Sequence, residues 1–117
     1  MRDLLEPQQV YGRYPSTPGG RAAGSAVNTQ ARSQLARSYF ENGEMYLSVA
    51  EHADTAMEKE DNLRYARSWY QKSLDIWQEI RHRRDLPPHD SQCPDQVSQR
   101  IRGCDEALSK LSLQVAR

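Results

Sequence analysis

The chain has 117 residues with 16 Lys plus Arg against 16 Asp plus Glu, so its formal net charge is +0 and it carries no global field to favour nucleic acid or an acidic membrane. Its mean hydropathy of -0.92 and 37% hydrophobic residues leave no stretch near the ~20 apolar residues of a bilayer span, and no apolar run before a small-residue cleavage site reads as a secretory signal, so a cytoplasmic location is expected. Cys93 and Cys104 fit neither a disulfide framework nor a Cys-x-x-Cys redox or zinc pair, and both read as free thiols.

Residues 1–27 hold Pro7, Pro15 and Pro18 together with Gly12, Gly19, Gly20 and Gly24, and no helical or alternating period runs through them. Such a stretch buries too little apolar area to offset the entropy of ordering, so a flexible tail is expected, with at most a short helical turn near Leu4. From Asn28 onward apolar residues recur every three or four positions, and residues 28–117 read as one three-helix domain with a thin core.

The first helix is predicted over Thr29–Glu58, with Asn28 as its N-cap. The second is predicted over Asn62–Arg83, capped by Asp61 or Asn62, with Arg81, Arg83 and Arg84 complementing the negative pole of its dipole. Pro87 and Pro88 stop it, Asp85–Cys93 form a loop, and a third helix runs from Pro94, a residue suited to a first helical position, to Gln114.

The second helix places Leu63, Tyr65, Ala66, Trp69, Tyr70, Leu74, Ile76, Trp77 and Ile80 on an arc of about half its circumference, which is wider than the roughly 100° one neighbour needs. It therefore has two neighbours. The third helix repeats Val97, Ile101, Cys104, Leu108, Leu111 and Val115 in one narrow stripe and reads as a polar-backed cap that packs on one side only. The first helix is wide again: one edge carries Leu35, Tyr39, Tyr46, Val49, Ala53 and Met57, the other Ala36, Phe40, Gly43 and Leu47. One edge meets the second helix, and nothing remains in the chain to cover the other. The uncovered edge is expected to be Ala36, Phe40, Gly43 and Leu47, an exposed apolar strip of the kind that marks an interface.

Tyr39-Phe40-Glu41-Asn42-Gly43-Glu44-Met45-Tyr46 resembles the first helix of a tetratricopeptide repeat, with tyrosine for tryptophan and Asn42 where leucine is usual, and Ala66-x3-Tyr70 resembles the A-x3-F of its second helix. About eleven more residues separate Tyr46 from Ala66 than a repeat of about 34 permits, close to three full turns, so the first helix can lengthen without rotating its packing face. The closing proline is absent, with Gln78 near its place. The longer pattern from Ala66 to Trp77, followed by Leu86, Asp90, Val97, Ile101, Cys104, Asp105, Ala107 and Leu108, is similar to the last repeat and closing helix of bacterial tetratricopeptide proteins, including those linked to serine/threonine protein kinases. The resemblance covers residues 28–112. It implies an all-α fold: an antiparallel helical hairpin with a lengthened first helix, plus a capping helix. No kinase activity carries over, because the Gly-rich loop, His-Arg-Asp and Asp-Phe-Gly are absent from the sequence.

Chemistry-bearing residues do not converge in the sequence. His82, His89 and Cys93 are zinc-ligand types around one loop, but three at this spacing are too few for a closed site, and His52 has no companion. Cys104 falls on an apolar stripe and reads as an inert core thiol. Arg81, His82, Arg83 and Arg84 sit at a helix end while the aromatics lie on the packing arc, so no stacking groove for nucleic acid is expected. Ser16-Thr17-Pro18 could accept a phosphate, but such tripeptides are common in tails. Trp69, Trp77, Tyr65 and Tyr70 read as core.

The expected function is a non-catalytic scaffold or adaptor without cofactor. It would bind a protein or peptide through Ala36, Phe40, Gly43 and Leu47, with Glu44 and Glu51 as selective rim charges. The alternative is a regulatory or structural end piece of a kinase-linked repeat protein. That alternative reserves the uncovered edge for preceding repeats and not for a separate ligand; as fewer than three repeats seldom stand alone, association with another copy of the chain is also expected.

Overall fold

The computed structural model describes the backbone of residues 18–115 and the side chains of residues 28–114. Among the described residues three helices follow in order: α1 over Pro18–Glu51, α2 over Ala56–His82 and α3 over Cys93–Val115, with a 3-10 turn at Pro88–Asp90 ahead of α3. The fold is all-α, and α2 packs against both of its neighbours. The tail expected over residues 1–27, with the turn near Leu4 and Ser16-Thr17-Pro18, lies outside the described residues as far as residue 17. From Pro18 the backbone is helical, ahead of the Thr29 start expected. The chain divides at Gln30–Ala31 into two units, and the three-helix unit is the second.

The corner of the hairpin comes earlier than the apolar pattern suggests. The first helix ends at Glu51, not Glu58, and α2 starts at Ala56, not Asn62. The reason is a local polar motif. The Thr55 hydroxyl oxygen accepts from the Glu58 amide at 3.1 Å, and the Thr55 hydroxyl donates to the Glu58 carboxylate at 3.2 Å. This Thr55 cap satisfies one of the otherwise orphaned amides of a helix start, that of Glu58, and the Glu58 carboxylate holds the hydroxyl in place. The extra residues between Tyr46 and Ala66 therefore lengthen α2 at its beginning rather than α1 at its end.

α2 stops by backbone geometry. Arg84 takes φ 63, the left-handed region, and the Asp85 amide reaches back to the Ile80 carbonyl at 3.0 Å while the Arg84 amide donates to Arg81 at 2.9 Å. This is a Schellman-type stop with arginine where glycine is usual. Pro87, at φ -65 and ψ 150, then leads into the 3-10 turn. Helix α3 begins one residue before Pro94, which sits buried in its first turn.

The seam between α1 and α2 is built from small residues. Ala36, Gly43 and Ala50 recur every seven positions along α1, and all three are buried. Opposite them, the Ser73 hydroxyl donates to the Ala36 carbonyl at 2.7 Å. The Tyr70 ring lies so close to Gly43 that a Cβ placed there would be 2.6 Å from its Cδ1 and Cε1. Among the described residues the largest fully buried side chains are Trp77, Tyr70, Leu63 and Ile80 of α2 and Val97, Pro94 and Cys104 of α3.

Candidate functional site

The four residues expected to form an open edge are placed inside the fold. Ala36 is 0% exposed, Gly43 is under Tyr70, and Phe40 and Leu47 pack half-buried against the core, with the Phe40 ring 5.4 Å from that of Tyr70. The expectation that this edge is uncovered is thus corrected. Two causes combine: small residues mark where a helix is approached closely, and α3 is not confined to α2. Arg100 of α3 extends across to α1, where its Nε donates to Glu44 at 2.8 Å and its guanidinium lies over Phe40 at 5.8 Å.

The opposite flank of the hairpin is the open one. Leu35 is 42% exposed, Val49 48% and Tyr65 55%. Between them the Tyr39 and Trp69 rings meet at 5.5 Å and the Tyr46 and Tyr65 rings at 5.5 Å, tilted by 42° and 56°. Lys72 Nζ sits 4.8 Å above the Trp69 ring. Along α1 the positions 35, 39, 42, 46 and 49 alternate steps of four and three, which keeps a stripe on one side of a helix. Tyr65 and Trp69 continue it across α2. The result is an aromatic and aliphatic strip shared by two helices, with Met45, 52% exposed, at its rim. Expectation had placed Tyr65 and Trp69 in the core; Tyr65 is exposed and Trp69 half-buried.

The polar groups under α3 serve the packing. Tyr70 is buried and donates to Glu44 Oε1 at 2.5 Å, the same oxygen that accepts from Arg100. Burial and the neighbouring Glu44 carboxylate hold the Tyr70 phenol well above its ordinary range. Glu44 is therefore engaged within the fold, whereas Glu51 is exposed.

Near the start of α3, Asp90 is buried and pairs with Arg37 of α1. Cys93 Sγ lies 3.9 Å from the same carboxylate. A cleft of about 230 Å³ opens here, lined by Arg37, Phe40, Glu41, Trp77, Cys93, Gln96 and Val97. Burial and then the Asp90 carboxylate push the Cys93 thiol up, which disfavours its thiolate. Cys104 is buried and likewise raised, first by burial and then by Asp105.

The ligand types do not gather. His82 and His89 are exposed, His52 places Nδ1 2.8 Å from the Ser48 carbonyl oxygen, and among the described residues no group of three or more His, Cys, Asp or Glu is placed to hold a metal ion. At the basic helix end, Arg83 pairs with Glu79 at 2.9 Å and Arg81 lies 4.0 Å from Asp95. Among the described residues no helix is long and apolar enough to cross a membrane.

The strip was findable from a sequence signal. Ala36, Gly43 and Ala50 at seven-residue spacing name the close-approach seam, and with the seam fixed the Leu35 to Val49 stripe falls a quarter-turn away from it. Comparison of the chain with protein-family models, with curated proteins and with solved structures finds no match to any of the three.

Proposed function

We propose that this chain is a helical protein-interaction module that works through the α1–α2 strip of Leu35, Tyr39, Tyr46, Val49, Tyr65 and Trp69. The observation that carries the reading is that strip itself: Leu35, Val49 and Tyr65 exposed and Tyr39, Tyr46 and Trp69 half-buried between them, contiguous across two helices with Met45 at the rim, whereas the other exposed large apolar residues of the described part, Met57 and Leu113, stand apart from it. A helix or hairpin laid on it would bury Tyr and Trp, the residue types that dominate binding energy, inside a polar rim that includes Ser38 of α1 and Lys72 of α2. Catalysis has no part in the reading, and no cofactor is needed.

A second reading keeps the same strip and changes its owner. The close approach of Tyr70 to Gly43 is what the tetratricopeptide resemblance of Tyr39–Tyr46 and Ala66–Tyr70 implies. A preceding repeat could then be the covering element, in a chain that ends a longer helical array.

The test is photo-crosslinking in cells from a benzoylphenylalanine placed at Met45, on the rim of the strip, or at Arg102, exposed on the outer side of α3. Defined protein adducts from position 45 and not from position 102 support the module. Equal yields from both positions, or none from position 45, count against it.

A further inference from the structure

The strip on α1 has the same order of residue types read from either end. Leu35, Tyr39, Asn42, Tyr46 and Val49 run aliphatic, tyrosine, asparagine, tyrosine, aliphatic, with the one polar member at the centre. A surface that binds an unrelated helix has no need of that symmetry. One that meets its own copy across a two-fold axis does, because in an isologous contact each residue faces the residue at the mirrored distance from the axis.

Resting on the interaction reading above, we infer that the strip is occupied by a second copy of this chain, two hairpins stacked face to face about a two-fold axis beside Asn42, with their α1 helices antiparallel. Leu35 of one copy then lies by Val49 of the other and Tyr39 by Tyr46. Asn42 meets its own counterpart, and a carboxamide is its own complement, offering both N–H donors and an acceptor oxygen. A lone asparagine within an apolar helical seam is a known device for fixing register and partner number.

Size agrees with this occupant. From Ala31 to Glu51 the hairpin face is about 30 Å long and about 20 Å across two helices, or ~600 Å² in projection and more as accessible surface. A standard interface takes roughly 800 Å² from each partner, so the whole α1–α2 face, strip and rim together, is of the order such a contact needs.

The charges on α2 agree as well. Tyr39 meets Trp69 and Tyr46 meets Tyr65 in tilted ring contacts, so the level of Asn42 falls on α2 between Tyr65 and Trp69. Asp61 and Lys72, both exposed, lie at similar distances to either side of that level. Antiparallel stacking carries Lys72 of each copy towards Asp61 of the other, and unlike charges meet.

The experiment is sedimentation equilibrium of the whole chain over a wide concentration range, paired with disulfide trapping. The native chain should dimerise, and Leu35→Glu with Val49→Glu should weaken association by roughly a hundredfold or more, since each places a charge inside the contact. Both sites are 42–48% exposed in the single chain, so circular dichroism should show helicity retained. Asn42→Cys, on the proposed axis, should cross-link to its own copy under mild oxidation far faster than Ser48→Cys, an exposed site off the stripe. A native chain that stays monomeric overturns the proposal, as does a dimer indifferent to both charges in which position 42 traps no faster than position 48. A monomer whose position 45 still captures a different protein overturns the second copy and leaves the interaction module standing; failure of capture as well removes both.

Discussion

The Tyr70 ring lies directly against the backbone of Gly43, with two ring carbons 2.6 Å from where a Cβ would be. The two helices can be this close because α1 presents only a hydrogen there. Tyr70 is thereby held with its hydroxyl on Glu44, which ties the seam to α3 through Arg100.

The same substitution should have opposite signs at two glycines. Gly43→Ala forces the buried Tyr70 ring to shift and should destabilise by about 1–2 kcal/mol, an overpacking penalty partly offset by alanine's helix propensity. Gly103→Ala, where no described atom lies within 4 Å of the new methyl, should stabilise by roughly 0.5–1 kcal/mol. Urea denaturation of the two variants checks the pair; a gain at Gly43 would mean the seam is looser than described.

The two ends of α2 depend on different chemistry. Thr55→Ala removes the acceptor for the Glu58 amide and should cost about 1 kcal/mol. Arg84→Gly relieves a non-glycine residue at φ 63 and should gain about 1 kcal/mol. Thermal melts followed by circular dichroism distinguish them by the direction in which the midpoint moves.

Arg37 is the charge partner of a buried carboxylate. Arg37→Met leaves Asp90 buried beside Cys93 with only the exposed His89 ring, 3.4 Å away, against its carboxylate, and should destabilise by about 2 kcal/mol at neutral pH. Arg37→Met with Asp90→Asn should recover part of that loss, because no buried charge then remains unpaired. A double variant as unstable as the sum of the two singles would show that the pair is not the reason.

Stability should fall on the alkaline side. Tyr70 and Cys104 are both raised from their ordinary 10.0 and 9.0. In the unfolded chain they lose their protons near those values, while in the fold they keep them. The folded state then binds more protons, so unfolding becomes easier as pH rises through about 9 and onward, and the contribution is intact below that. Denaturation midpoints between pH 8 and 11 should decline, and Tyr70→Phe, slightly less stable at neutral pH, should decline less steeply above pH 10.

The sequence carried the all-helical class and the two-sidedness of α2 plainly, because hydrophobic period is a local property. It misplaced the hairpin corner. Thr55-x-x-Glu58 is a polar signal that lies within an apolar rhythm continuing through the corner, so the rhythm alone hides it. The open face lies on the other flank of α1 from the one the apolar pattern predicts, for a different reason. Which side of a wide apolar helix is covered depends on where a third helix lies, and the narrow stripe of α3 gives no hint that Arg100 would bridge back to Glu44 and Phe40. Residue size held the missing information, in Ala36, Gly43 and Ala50.

Those three small residues also decide how firmly α1 is held. Among the described residues the fully buried apolar side chains of α1 are Ala36 and Ala50, while α2 and α3 supply tryptophan, tyrosine, leucine, isoleucine and valine to one another and to the seam. Alanine and glycine bring few atoms, and the larger α1 side chains, Tyr39, Phe40, Tyr46 and Leu47, are only half-buried, so α1 gains less on docking than α2 and α3 gain from each other. In native-state hydrogen exchange its amides should therefore open through a partial detachment that leaves α2 and α3 closed. Whatever covers the outer strip of α1 would act as a clasp on that helix, and occupancy of the strip and protection of α1 from exchange should rise together.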